Sequence, residues 1–390
     1  MQDYKLISAD GHVIEPPSLW VDRMPKKYKE RIPHMVSLPD TDAWIIEGAA
    51  DPLTFGLNTV AGLPPERYNP KLRFSEVWAG GWDPKERVKE QDQGKVDAEI
   101  MFPTPRISNS IFWNNGDPEF HIACIRAYND WLSEYCSYAP DRLGGVAMLP
   151  NVGAQAAIDE MHRAIKLPGI VTVMCGKYPN GGAWLDPSDD PFWAAMEETG
   201  VPMNIHVGFA SGPPTTHEKQ GGGFAFTGAF TGALRIQEAP YRALELIYHR
   251  VFDRFPKLKV VLAETDCGWV PYFMEQIDDR VPRQNPKNRV HFKLKPSEYF
   301  TRNFWYTIVF DSFGLRNRHE IGVERILWSN DFPHASCDWP NDWKRIAKDF
   351  KGMPAGDQHA VLAGNALTLY GLDKKKATGK VKVAAAAKRK

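Results

Sequence analysis

The sequence predicts an α/β chain folded as a (β/α)8 TIM-type barrel, with a long insertion after its first strand and a lid-like loop after its fifth. Three observations carry this prediction. Eight short, almost continuously apolar runs recur along the chain, stretches with three- and four-residue apolar spacing lie between most of them, and polar residues stand at the ends of the runs. Continuous rather than alternating hydrophobicity marks parallel strands covered on both faces. Strand–helix alternation repeated in this way closes most simply as a barrel.

The strand runs are 5–9, 98–102, 143–149, 170–175, 202–207, 259–263, 305–310 and 325–328, each short and bounded by turn residues. Helical spacing marks 120–138, 154–165, 191–199, 241–255, 270–280 and 343–350. The helix at 191–199 opens on Pro191, favoured in a first turn, with Asp189 and Asp190 ahead of it as candidate caps. A doubly wound open sheet is the competing architecture. It would usually carry a glycine-rich phosphate turn after its first strand, where this chain has Asp10-Gly11-His12.

Two connections exceed plain turns. Residues 13–92 follow the first strand and contain a small hairpin around 44–47, and residues 208–240 follow the fifth strand and include Gly221-Gly222-Gly223. Both leave the C-terminal ends of their strands, the face where barrel enzymes keep their active sites. Long loops there suggest a lid or a substrate-pocket wall. The expected organisation is one barrel domain over 1–373 carrying both insertions, then a basic tail over 374–390 with eight basic residues and no acid. That composition suits a disordered, solvating extension better than a nucleic-acid arm.

Bulk composition excludes several classes of function. The 390 residues are 43% hydrophobic and balance 48 basic against 48 acidic side chains, so no global charge draws the chain to nucleic acid or membrane. Its 5 cysteines are scattered and form no C-x-x-C pair, which argues against a disulfide framework or zinc ribbon and fits a reducing compartment. No apolar run approaches the roughly 20 residues that span a bilayer, and the N-terminus lacks a signal pattern, so a cytoplasmic location is expected.

In a barrel, residues just past each strand converge on one mouth. The first strand delivers Asp10 and His12, whose spacing of two puts both on one side of an extended segment. The fifth delivers His206, the sixth Glu264, and the eighth Asp331 with His334 just beyond. Two imidazoles and two carboxylates from distant segments suit one divalent metal ion, with zinc the first expectation and manganese or iron the alternatives. Gly11 is permissive at a crowded ligand turn. Glu15 is a candidate partner fixing His12 from behind, or only the start of the loop before Pro16 and Pro17. Phe209, Trp269, Phe310, Phe332 and Trp339 follow strand ends and could form an aromatic wall, with His334 beside it as a further substrate contact.

The order of these elements resembles the metal-dependent hydrolases of the amidohydrolase superfamily, in the branch of aminocarboxymuconate-semialdehyde decarboxylase and γ-resorcylate decarboxylase. The motifs that carry the resemblance are I-S-A-D-G-H-V-I-E-P-P, P-D-R-L-G-G-V-A-M-L-P, D-P-F-W-A-A-M-E-E-T-G-V-P-M-N-I-H-V-G, F-P-K-L-K-V-V-L-A-E, W-S-N-D-F-P-H and G-N-A-L-T-L-Y-G-L, spread over residues 6–372. The resemblance implies one catalytic zinc or manganese, ligands at Asp10, His12, His206 and Asp331, and a homodimer or homotetramer. The chain departs from the pattern at three places. Asp10 stands where many members have histidine, Glu264 stands where the decarboxylases usually have histidine, and the fourth strand ends at Cys175 with Lys177 beyond it rather than in a bridging lysine.

The leading expectation is a metal-dependent hydrolase acting on a small aromatic or carboxylate-bearing substrate. Asp331 would take a proton from a metal-activated water and pass it to the leaving group, and Glu264 would orient that water or contact a substrate hydroxyl or amine. The close alternative is a non-oxidative decarboxylase of an aromatic or enoic acid. A non-catalytic metal- or ligand-binding barrel is the alternative of another class.

Overall fold

The computed structural model describes residues 5–210, 238–284 and 290–372. In chain order the strands are β1 (Ile7–His12), the antiparallel hairpin β2 (His34–Ser37) and β3 (Asp42–Ile45), then β4 (Ala98–Phe102), β5 (Leu143–Met148), β6 (Ile170–Met174), β7 (Met203–His206), β8 (Val260–Ala263), β9 (Phe304–Ile308) and β10 (Ile326–Trp328). All but the hairpin join one eight-stranded sheet in the order β1-β4-β5-β6-β7-β8-β9-β10, with every neighbouring pair parallel. Every residue of β1, β4, β5, β6, β7, β8 and β10 is buried. The continuous apolar runs therefore reflect strands covered by side chains within and helices without.

The sheet curls until β10 meets β1. The seam is made just past the strand ends, where Asp331 N donates to Asp10 O at 3.0 Å and His12 N donates to Phe332 O at 2.8 Å. Ser8 Oγ donates to Asn330 Oδ1 at 3.0 Å across the same join. β1 itself is irregular. Ser8 pairs with Glu99 and Gly11 with Met101, so β1 carries one extra residue there. Such a bulge re-aims the side chains around it.

Several elements differ from the sequence reading. The first strand runs to His12 rather than ending at residue 9, because the seam bonds keep the polar segment extended. The helical run at 241–255 breaks into Glu238–Tyr248 and Val251–Arg254, with Arg250 left-handed at φ 57° between them. Asp189 is the residue ahead of the helix Asp190–Thr199, but it makes no side-chain cap. Its carboxylate instead accepts from Asn180 N at 2.8 Å and Asp186 N at 3.2 Å. Phe310 lies beyond β9 and is exposed.

The insertion over 13–92 is folded onto the barrel. Trp20 Nε1 donates to Cys124 O at 3.0 Å, and its ring meets Trp44 of β3 edge-on. The insertion ends in the helix Pro84–Gly94, capped by the Asp83 carboxylate on Lys85 N, with Pro84 in its first turn. Most of the loop 208–240, and the tail 374–390, lie outside the described residues. Among the described residues no helix is long and apolar enough to cross a membrane.

Candidate metal centre

The C-terminal ends of β1, β7, β8 and β10 bring Asp10, His12, His206, Glu264 and Asp331 together at one mouth. His12 Nε2 lies 3.4 Å from Asp10 Oδ1 and 3.2 Å from Asp331 Oδ1. His206 Nε2 lies 3.5 Å from Asp10 Oδ1 and 3.9 Å from Glu264 Oε2. Donor atoms bound to one ion at about 2.1 Å in tetrahedral directions stand about 3.4 Å apart, which is the spacing seen here. All five residues are buried.

The hydrogen-bond inventory points the same way. Asp10 Oδ1 and Oδ2, His12 Nε2, His206 Nε2 and Asp331 Oδ1 are buried without a hydrogen-bond partner. Orphaned buried polar atoms are costly, and five of them gathered on four neighbouring side chains fit a cation that accepts their lone pairs. Each imidazole is turned for this. The Pro103 carbonyl lies 2.9 Å from His12 Nδ1 and the Val207 carbonyl 3.1 Å from His206 Nδ1. A carbonyl can only accept, so Nδ1 carries the proton and Nε2 presents its lone pair to the mouth.

Electrostatics describe a cage with surplus negative charge. Burial alone would depress the His206 pKa, but the carboxylates of Asp10 and Glu264 hold it up at about 9. Burial would likewise raise Asp331, yet the neighbouring His334 and His12 rings keep it well below the usual carboxylate range. Burial drives His334 down to about 4 against the pull of Asp331. A divalent ion would neutralise this surplus.

Asp331 has its own support. Ser336 Oγ donates to its Oδ2. His334 Nδ1 approaches Oδ1 at 2.8 Å, off hydrogen-bond alignment, while its ring stacks on His12 with centroids 3.9 Å apart. Asn58, from the insertion, sits 2.9 Å from His334 Nε2. With the amide donating, Nε2 accepts and Nδ1 turns its proton toward Asp331. Both strand-end carboxylates adopt the left-handed region, Glu264 at φ 57° and Asp331 at φ 56°. Non-glycine residues rarely do so, and such outliers gather at functional sites. Glu264 N is anchored by Thr307 Oγ1 at 2.6 Å.

Behind the seam lies a residue that sequence reading missed. Arg87 is fully buried, pairs with Glu99 through Nε–Oε2 at 2.7 Å and Nη2–Oε1 at 3.1 Å, and donates to the carbonyls of His12 at 2.9 Å and Phe332 at 3.2 Å. Gln91 Nε2 adds 2.8 Å to the same Glu99 oxygen. One guanidinium thus ties together the two segments that carry Asp10, His12 and Asp331. A Cβ on Gly11 would stand 2.9 Å from Arg87 Nη2, so Gly11 is required by the closeness of this clamp. In P-K-E-R-V-K-E-Q, Arg87 reads as one more solvated charge. Asn58 and Ser336 carried no periodic signal either, although Ser336 lies only five residues past Asp331.

The remaining candidates divide. Phe209 is buried and lines a small cleft with His206, Phe102, Pro105, Met174 and Gly176, so it borders the site. Trp269 instead packs on Phe273, Phe300 and Tyr306 in the helix layer. Phe332 joins Ala61 and Trp339 in a separate buried cluster beneath Arg87. Glu15 does not reach His12, because Thr104 N donates to its Oε1 at 3.0 Å and Pro103 holds the ring. Burial lifts the Glu15 pKa to about 7. Lys177 stacks its ammonium on Trp113 at 4.8 Å, away from any bridging role between two ions. The triads able to hold a metal among the described residues, Asp10–His12–His206 and His12–Asp331–His334, share His12 and so adjoin at the same mouth.

Fold and site define a barrel enzyme built around a single candidate metal centre. The chain belongs to the amidohydrolase family, which it matches over residues 63–372. It is similar to γ-resorcylate decarboxylase of Rhodococcus jostii (strain RHA1), 28% identical over 82% of this chain and 95% of the relative. Among solved structures it resembles an amidohydrolase from Mycobacterium avium subsp. paratuberculosis, with TM-score 0.75, 22% identity and coverage of 95% and 99% of the two chains. It also resembles the dihydroxybenzoic acid decarboxylase of Polaromonas sp. JS666, solved with manganese and 2-nitroresorcinol, with TM-score 0.62, 21% identity and coverage of 95% and 98%.

Proposed function

We propose that this chain is a metal-dependent carboxy-lyase that removes carbon dioxide, without oxidation, from a hydroxylated aromatic acid. The observation that carries the proposal is the set of orphaned donors on Asp10, His12, His206 and Asp331, with His334 against Asp331. Relatives named as decarboxylases, matched over most of their length, favour this reading over the hydrolysis expected first. Asp10, His12, His206 and Asp331 would hold the ion. Manganese takes precedence over zinc, because a carboxylate-rich donor set suits it and a solved relative carries it.

When bound, the ion would supply positive charge that stabilises a substrate carboxylate at the mouth. The protein moves the proton. Asp331 would take one from the substrate hydroxyl and pass it to the ring carbon as the bond to the carboxyl carbon breaks, while His334, held by Asn58, positions Asp331. Phe209 and Phe102 offer the ring an apolar border. Glu264 accepts a hydrogen bond from a substrate hydroxyl, since its charge opposes a carboxylate. A homodimer or homotetramer remains part of the proposal.

Hydrolysis is the second reading, favoured by Glu264 itself, a buried carboxylate that could orient a water beside His206. Manganese-loaded protein incubated with 2,6-dihydroxybenzoate and related hydroxybenzoates, with released carbon dioxide measured, separates the two. Release that disappears in Asp331→Asn supports decarboxylation. No release from any hydroxybenzoate, with cleavage of esters or amides, overturns it.

A further inference from the structure

Each imidazole of the candidate centre donates from Nδ1 to a backbone carbonyl, His12 to Pro103 and His206 to Val207. The other end of each of those peptide groups is also occupied. Thr104 N, in the same peptide group as the Pro103 carbonyl, donates to Glu15 Oε1 at 3.0 Å. Gly208 N, in the same peptide group as the Val207 carbonyl, donates to Glu238 Oε2 at 3.1 Å. In both places one amide accepts from an imidazole and donates to a carboxylate.

The two arrangements have separate origins. Glu15 lies three residues beyond His12 in the insertion, and Glu238 opens the helix Glu238–Tyr248, which packs outside β7 and β8. Neither carboxylate touches an imidazole, and each has been drawn out of water to reach its peptide. Burial lifts the Glu15 pKa to about 7 and raises that of Glu238 as well. The second oxygen of Glu15 is buried without a hydrogen-bond partner. A loop that needed only a capped N–H could have used a neutral oxygen, since burying a carboxylate costs far more than burying a hydroxyl. The Pro103–Thr104 group is further fixed by Thr104 Oγ1, which donates to Val13 O at 2.9 Å.

We infer that Glu15 and Glu238 are positioning residues that act on His12 and His206 through a single intervening peptide group. Resonance couples the two ends of an amide, so a carboxylate accepting from the N–H places more negative charge on the carbonyl oxygen. That oxygen then pulls harder on the Nδ1 proton, which fixes the ring and makes Nε2 a better electron-pair donor toward the mouth. The device strengthens both imidazoles without adding another charged side chain to a mouth already crowded by Asp10, Glu264 and Asp331. It rests on the metal-centre reading and adds to it the residues that tune the ligands.

The test uses metal binding and nuclear magnetic resonance on the full chain at about pH 8, above the folded pKa of Glu15 of about 7. Glu15→Gln and Glu238→Gln keep an acceptor oxygen for the peptide and remove the charge. Each should weaken manganese and zinc binding by about threefold to tenfold, less than the roughly tenfold to hundredfold of a partner bonded directly to the ring. Loading the wild type with zinc, which is diamagnetic, should move the amide protons of Thr104 and Gly208 downfield, because a bound ion makes Nδ1–H a stronger donor and the amide passes the pull onward. In metal-free protein Glu15→Gln should move the Nδ1 proton of His12 upfield and leave that of His206, and Glu238→Gln should do the reverse. A merely structural role would not sort the two rings in this way. Variants with wild-type affinity and unmoved Nδ1 protons overturn the inference while the metal centre stands. Should a variant not fold, the wild type decides, since Thr104 and Gly208 amides that stay put on zinc loading overturn it equally. A wild type that binds neither ion overturns the centre and the inference together.

Discussion

Arg87 at the barrel seam and Arg106 in the helix after β4 use the same side chain in opposite ways. Arg87 has a bidentate carboxylate partner and two backbone carbonyls, and no donor pointed at solvent. Arg106 donates to one carbonyl and makes no ion pair among the described residues. A saturated buried cation holds structure, because every bond it makes is internal. One with a single carbonyl partner contributes far less to holding its surroundings. The same contrast separates the supported strand-end residues of the candidate centre from their inward-facing atoms, which are left without hydrogen-bond partners.

Breaking the seam is expected to have the largest effect. Arg87→Met leaves Glu99 buried and uncompensated and should cost about 3–5 kcal/mol of stability in denaturant titration. Metal affinity should fall by about tenfold to a hundredfold, since the carbonyls of His12 and Phe332 lose their tie. Arg87→Lys should recover part of both. Stability that falls while metal affinity is unmoved would reduce Arg87 to packing alone.

Asp331→Asn attacks the centre directly. It should lower the rate of carbon dioxide release by about 10²–10⁴-fold, the usual range for a lost acid–base group, and reduce bound metal measured by elemental analysis. A variant that keeps both would refute the role given to Asp331.

Beside the centre, Glu15 allows a finer comparison by pH. Its folded pKa, about 7, exceeds the model-peptide value of 4.5. Between these values the folded chain binds more protons than the unfolded one, so this group's contribution to stability is lost as pH rises through 7 and is fully present below 4.5. The size is at most about 3 kcal/mol by the usual conversion. Glu15→Gln should therefore be more stable than wild type at pH 8 and lose that advantage toward pH 4.5, measured by denaturation at both ends. Glu90 and Asp342, also raised to about 7 by burial, slope in both proteins and cancel in the difference.

The smallest effect is Gly11→Ala, which pushes a methyl against Arg87 Nη2. About 1–3 kcal/mol of destabilisation is expected, the range for overpacking. Combined with Arg87→Met, the penalty should shrink, because the clashing group is gone. Equal penalties in both backgrounds would show that Gly11 answers to something other than the clamp.

Much of the candidate centre was legible because its candidate ligands sit at strand ends, where an apolar run stops and a polar residue takes over within one or two positions. Asp10, His12, His206, Glu264 and Asp331 all announced themselves in this way. Trp269 obeyed the same rule and yet turns into the helix layer, since proximity to a strand end does not set the direction of a side chain. Asn58, Arg87 and Arg106 lie in or against an insertion without period, where no local pattern marks what will face what.

By itself the sequence determined the alternation of strand and helix, and with it the barrel and the residues delivered to its mouth, because periodic burial is a local property written at intervals of two and about four residues. Only the tertiary structure decided how the irregular insertion folds back. It placed Arg87 across the seam, Asn58 on His334 and Arg106 against Thr54 and Gly56 of the insertion. Those contacts join residues dozens to hundreds of positions apart, and they are set by packing and charge neutralisation in three dimensions rather than by any spacing along the chain.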